Sequence, residues 1–226
     1  MKTRRWLWLL VFPVITGMAG CIVQDEFTTL TINADGSGDL IIFRSNIRST
    51  KKGSRAETEM AEYRASFEAQ TQDVFKRIRE SGARLEMTLW VREQAPMAHV
   101  IRASIPDAAS LEKLATLGDG GSPISITPKF TITDTHRRLA LQLTVRSDHI
   151  PPPISDADRL TQFNHARASG ISDFRIAISA GNIRDARGFT IAGDRQSVML
   201  DIDEINSLLR SGNGDIEIFV QWEVSD

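Results

Sequence analysis

The sequence predicts an α+β protein in which strand pairs build an antiparallel sheet, with one long amphipathic helix and two or three short helices. Three observations carry this. Apolar and polar residues alternate in several short segments, most strictly at Leu139, Leu141, Leu143 and Val145, and a period of two marks a strand with one buried face. Met60, Tyr63, Phe67, Val74 and Ile78 recur at steps of three, four and seven, which places them on one side of a helix. Turns bearing glycine or proline separate these segments, as they do between short elements.

The chain opens with a segment that is an address. Lys2, Arg4 and Arg5 precede an apolar run from Trp6 to Ile15, interrupted by Pro13, and Thr16 to Gly20 are mostly small. Ten apolar residues fall short of the about twenty that cross a bilayer, and match the core of a signal peptide. Cys21 follows and is the sole cysteine, so no disulfide can form within the chain. Cleavage just before Cys21 fits this pattern, and so does an ordinary secretory cut after Ala19, where Gly17-Met18-Ala19 supplies small residues. Met18-Ala19-Gly20-Cys21 resembles the lipobox of bacterial lipoproteins, although that family prefers Leu where Met18 stands. The resemblance implies removal of residues 1–20, a diacylglycerol on the Cys21 sulfur and an acylated amine, palmitate being typical. It also implies a lipid-anchored protein of the cell envelope. Ile22 stands where an Asp would mark retention at the inner membrane. In a cell with two membranes this implies the periplasmic face of the outer membrane.

The full chain carries 27 Lys and Arg against 29 Asp and Glu. Removing residues 1–20 takes away three cations, leaving 24 against 29 and a formal charge of −5. That balance argues against nucleic acid, whose binding depends on neutralising phosphates, and against adhesion to anionic lipid by net charge alone. The 206 residues that remain of 226 suffice for one large domain or two small ones. No second apolar run is long enough for a transmembrane helix.

Residues 22–26 read as a short tether following the lipidated cysteine, and 27–226 as a single body. Leu30 and Ile32 alternate with Thr29 and Thr31. A turn at 34–38 then leads into a second strand, Asp39 to Ile47, completing a hairpin. Asn33, Asp35, Ser37 and Asp39 are spaced like ligands of a calcium loop, but Arg44 holds the place of the bidentate Glu, so the stretch reads as a turn. Arg48 to Arg55 is a basic loop, expected in solvent. Ser54 and Glu57 read as a capping box opening the long helix to Ser81, and Gly82 reads as its stop.

Arg84 to Val91 and His99 to Ile105 read as strands about a turn at Ala95-Pro96. Asp107 begins a short helix with Leu111 and Leu114 inside, and 119–123 form a connecting loop. Ile124 to Ile132 and Leu139 to Val145 pair next. Pro151-Pro152-Pro153 stiffens the chain, and 148–155 is where the body would divide into halves. Ser155 is placed to cap a helix carrying Leu160 and Phe163. Phe174 to Ile178, Phe189 to Ile191, Ser197 to Ile202 and Asp215 to Val224 read as strands, with an Asp203-capped helix carrying Ile205, Leu208 and Leu209. A weak echo links 100–132 to 197–224, each holding a strand, an Asp-capped helix, a glycine loop and a strand.

Catalytic signatures are missing from the sequence. His99, His136, His149 and His165 are scattered, and no serine sits in a nucleophile elbow. No cofactor, no metal and no catalytic residue is expected. Trp90 and Trp222 fall in strands and read as core.

The strand-Asp35-Gly36-Ser37-Gly38-strand unit, clearest in Leu30–Ile42, with the long helix and further strands, resembles the LppM-type envelope lipoproteins. A vaguer echo lies in Ile178–Ile202. The resemblance implies an α+β fold with a curved antiparallel sheet, and a lipid ligand. The expectation is a non-enzymatic lipoprotein that binds a hydrophobic ligand or a protein partner at the membrane surface. Tyr63, Phe67 and Val74 are the expected ligand-binding residues, and acyl chains on Cys21 the membrane contact. The alternatives are a structural or assembly factor of the envelope, or an envelope hydrolase.

Overall fold

The computed structural model describes residues 22–116, 124–145, 172–212 and 214–224. The signal segment with Cys21, the 119–123 loop, His149, the triple proline, the 148–155 division, the Ser155 helix and His165 lie outside them. The chain has the α+β content expected, distributed over two open sheets.

Strands β1 (Ile22–Ile32) and β2 (Gly38–Ser49) form the expected hairpin, paired from Ile22 opposite Ser49 to Ile32 opposite Gly38 with one irregularity between Val23 and Asp25. Residues 22–26 are therefore not a tether. Glu26 and Thr28 share the buried face of β1 with Leu30 and Ile32, and that pairing holds the chain down as far back as Ile22. At the turn, Gly36 adopts φ 85°. Asn33 N–H donates to Ser37 O at 2.8 Å, and the Ser37 hydroxyl and amide donate to Asp35 Oδ1 at 2.7 and 2.9 Å. Those bonds occupy Asp35 and hold its carboxyl below the usual range, the Ser37 hydroxyl contributing most. The turn reading stands over the calcium reading.

The long helix forms and is bent into α1 (Ser54–Glu68) and α2 (Asp73–Ser81). Gln70 takes φ 53°, its N–H bonds Phe67 O at 3.0 Å, and Thr71 N–H bonds Ser66 O at 2.9 Å. These are the two bonds of a Schellman cap, built on glutamine, so no glycine marks it. At the other end Gly53, not Ser54, is the N-cap, and it makes no side-chain cap bond. The capping box is absent because Ser54 already lies in the first helical turn. Gly82 ends α2 at φ 86°, as its sequence position indicated.

Strands β3 (Arg84–Arg92) and β4 (Met97–Ile105) extend the first sheet, whose order is β3-β4-β2-β1 and then β7 (Ser172–Ile178), β10 (Ser197–Leu200) and β9 (Phe189–Ile191). All neighbours are antiparallel except β1 and β7, which run parallel from Glu26 opposite Ser172 to Ile32 opposite Ile178. The second sheet has the order β5 (Ile124–Ile132), β6 (His136–Val145), β11 (Asp215–Glu223), β8 (Asn182–Arg187), all antiparallel. The β8 strand is the element whose sequence, NIRDAR, carries no apolar alternation; Ile183 alone is buried.

The weak internal echo has a structural counterpart. Helix α3 (Ala108–Ala115) carries the chain from β4 in the first sheet to β5 in the second, and α4 (Ile202–Ser211) carries it from β10 to β11. Each is capped by an aspartate: Asp107 accepts from Ser110 N–H at 2.7 Å, and Asp201 from Glu204 N–H at 2.9 Å. The cap of α4 is Asp201 rather than Asp203, which falls inside the first turn. The core lies between the two sheets and under the helices, with Leu30, Ile101, Phe174, Val198, Leu143, Val220 and Trp222 buried.

Candidate functional site

The alternation of β2 puts Leu40, Ile42 and Arg44 on one face, and that face is buried. Arg44 is thus carried inside, 2% exposed. Its register neighbours are Glu26 on β1 and His99 on β4, and His99 stands opposite Trp90 on β3. Arg44 Nε donates to Glu26 Oε2 at 2.7 Å and Nη1 to Gln72 Oε1 at 3.0 Å, Gln72 being the residue that caps α2. Burial, the largest single influence, would make the guanidinium easier to deprotonate, but the charge and hydrogen bond of Glu26 together with Tyr63 outweigh it, and the net direction is upward.

Tyr63 and Phe67 descend onto this row from α1. The Tyr63 hydroxyl donates to Gln24 Oε1 at 3.1 Å and lies 2.9 Å from His99 Nε2. With its proton on Gln24, the tyrosine oxygen accepts from His99 Nε2–H, which leaves Nδ1 as a bare lone pair with no partner among the described residues. Burial, aided by the Arg44 charge, holds the imidazole down to about 3, so it is neutral at pH 7. Burial likewise raises the Tyr63 phenol, and Arg44 moderates that rise. Phe67 stacks on the His99 ring at 4.0 Å and meets Trp90 edge-on at 4.6 Å.

Two small cavities lie in the core, and the second reaches this network. The first lies between the sheets, lined by Leu30, Leu40, Leu114, Leu143, Phe174 and Ile218 among other apolar side chains, and encloses about 40 Å³. One water needs about 10–15 Å³ on the same measure. The second, also about 40 Å³, lies under α2. Its walls include Leu40 and Leu114 again, then Val74, Glu26, Arg44, Asp73 and Arg77. Leu40 and Leu114 thus form a wall common to an apolar cleft and a chamber with charged walls. Arg77 Nη2 donates to Leu114 O at 3.2 Å at that wall, and burial pulls its guanidinium below the ordinary value.

Of the three expected ligand residues, Val74 lines a cavity. Tyr63 and Phe67 are brought together, but over His99, where their faces are occupied by core contacts. The cleft itself was legible only as buried alternation, in Leu139, Leu141 and Leu143 and in the inner positions Leu111 and Leu114. His136 makes turn contacts with Thr133 and Thr135. Among the described residues no three His, Cys, Asp or Glu side chains are grouped to hold a metal, and no helix is long and apolar enough to cross a membrane.

No family model and no curated protein matches the chain. Among solved structures it is similar to the NMR structure of the folded domain of LppM from Mycobacterium tuberculosis. The TM-score is 0.41 and the identity 10%, over 91% of this chain and 92% of that one. A score at that level carries no argument about function.

Proposed function

We propose that this chain is a non-enzymatic, lipid-anchored protein of the bacterial cell envelope that holds an amphiphile between its two sheets. The cleft is the observation that carries this reading: aliphatic side chains and Phe174 line it, and across Leu40 and Leu114 it adjoins a chamber with Arg44, Arg77, Glu26 and Asp73 on its walls. Apolar cavities stay dry and favour apolar guests, while the charged chamber suits a polar headgroup. At about 40 Å³ the cleft is smaller than an acyl chain, so binding requires the sheets to part. Among the described strands none of one sheet is paired to a strand of the other, and parting them disrupts side-chain packing without breaking a ladder. Cross-sheet ties, such as Ile183 N–H to Arg195 O at 2.8 Å and Arg137 Nε to Ala34 O at 2.6 Å, lie at the margins. The anchor part of the reading rests on Met18-Ala19-Gly20-Cys21 followed by Ile22, with the periplasmic face of the outer membrane as its site in a two-membrane cell.

Native mass spectrometry of the full chain, purified from a bacterial host, tests the ligand. The expected result is a species heavier than the acylated chain by one lipid that is lost on denaturation. A native mass that contains covalent acyl groups alone overturns it.

A further inference from the structure

The first sheet is inverted at one level. Its buried face there carries the polar row Glu26, Arg44, His99. One residue along, its outer face carries an apolar row in register across four strands: Phe27 on β1, Phe43 on β2, Val100 on β4 and Leu89 on β3. The Phe27 and Phe43 rings stack at 6.2 Å. Leu89 is 52% exposed, Val91 beyond it 57%, and Phe27 38%. The next row adds exposed Ile41 and Met87 on either side of Arg102. Scattered exposed apolar residues need no explanation, whereas a contiguous patch marks an interaction surface.

The occupant follows from where the strand begins. Ile22, the first residue of β1, follows Cys21 directly in the chain. At about 3.3 Å per residue, Phe27 stands about 20 Å along the strand from the anchor. The same end of the sheet carries the basic connection from β2 into α1, in which Lys52 and, in the first turn of α1, Arg55 are exposed and Lys51 is paired to Glu59, and exposed Arg92 ends β3. Asp25, hydrogen-bonded by Asn46, borders the apolar row on that side, and Asp173 on β7 stands opposite Phe27 at the lateral end of the row. An anchor point, an apolar stripe and a basic rim together fit a bilayer interface with anionic headgroups.

We propose that the outer face of the first sheet lies on the membrane, with Phe27, Phe43, Leu89 and Val91 seated in the lipid interface beside the anchor. This rests on the anchor reading of Cys21. It adds an orientation: β1 runs along the bilayer, and the second sheet faces away from it.

Acylation of Cys21 consumes the only native thiol, so an introduced cysteine is the sole target for a maleimide. The full chain carrying Leu89→Cys, Val91→Cys or, as a control on exposed Lys129 of the second sheet, Lys129→Cys is reconstituted in vesicles. Their composition is roughly three parts phosphatidylethanolamine to one part phosphatidylglycerol. Labelling by a membrane-impermeant maleimide is expected to slow by about tenfold or more at 89 and 91 relative to detergent, and to stay unchanged at 129. Equal labelling at all three sites overturns the proposal. So does protection that fades as protein is diluted in lipid, which makes a second copy the occupant. Intact mass separates the two readings. A chain without acyl groups on Cys21 overturns the anchor and the orientation with it, whereas an acylated chain with unprotected Leu89→Cys overturns the orientation alone.

Discussion

Tyr63 on α1 and His99 on β4 meet at 2.9 Å between hydroxyl and Nε2, the point where the long helix is fastened to the buried polar row of the first sheet. The His99 imidazole titrates at about 3 in the folded protein, because burial and the Arg44 charge oppose its protonation. In the unfolded chain it titrates near ~6.5. The unfolded state therefore takes up the proton first, and stability falls as pH is lowered from about 6.5 towards about 3. Each unit of that interval is worth roughly 1.4 kcal/mol. His99→Phe keeps a ring on Phe67 and removes the titration. Urea denaturation at pH 7 and pH 5 should show a larger loss in the native chain than in the variant; parallel losses would refute the assignment.

Arg44 and Glu26 form an ion pair with side chains 2% and 10% exposed. Removing one member leaves a charge without its partner in the core, a cost of about 3–5 kcal/mol for buried pairs. Arg44→Met and Glu26→Leu are each expected to destabilise the protein by that order. The double change Arg44→Met with Glu26→Leu should recover much of the loss, since an apolar replacement of a whole buried pair is often neutral. The test is chemical denaturation of the four proteins. Additive losses would mean that the pair does not act as a unit.

Which parts of this molecule were legible in its sequence follows from what each signal depends on. Leu139 to Val145, Leu30 with Ile32, and the stripe from Met60 to Ile78 were readable because one face of each is buried and the period follows. Strand β8 was not, since it holds its place through β11 with a single buried side chain, Ile183. The bend at Gln70 was hidden because a glutamine adopts the conformation in which glycine would have announced it. Arg44 fell in step with Leu40 and Ile42, so its burial was present in the alternation. Its partners, 18 and 28 residues away, were not. The cleft belongs to two sheets at once, and no local pattern describes a gap between them.

Gly36 turns the first hairpin at φ 85°, and a Cβ there would stand 2.7 Å from Ala108 Cβ and 2.9 Å from a Phe130 ring carbon. The turn is thus pressed against the start of α3 and against β5. Gly36→Ala combines left-handed strain with this clash, and about 1–3 kcal/mol of lost stability is expected. Gly82→Ala provides the contrast. It has a left-handed φ too, 86°, but its Cβ would meet only the Ser110 hydroxyl oxygen, at 3.2 Å. The loss at 82 should be the smaller, and thermal unfolding of both variants reads the difference. Equal losses would mean that the packing at Gly36 gives way.

Ala115, at the end of α3, lines the cleft between the sheets with a side chain that leaves space unfilled. Ala115→Leu places a branched side chain in that space, and burial contributes about 0.8 kcal/mol per methylene group. Stability should rise, or fall by less than the 1–3 kcal/mol typical of an overpacked core, while the volume a guest would occupy is taken. The same lipid-bearing species sought by native mass spectrometry should then be depleted in the variant. Leu143→Ala acts in the opposite sense: it enlarges the cleft, costs about 2–5 kcal/mol as a large-to-small core change, and should leave lipid occupancy equal or higher. Undiminished lipid in Ala115→Leu, with the fold intact by circular dichroism, would place the ligand elsewhere.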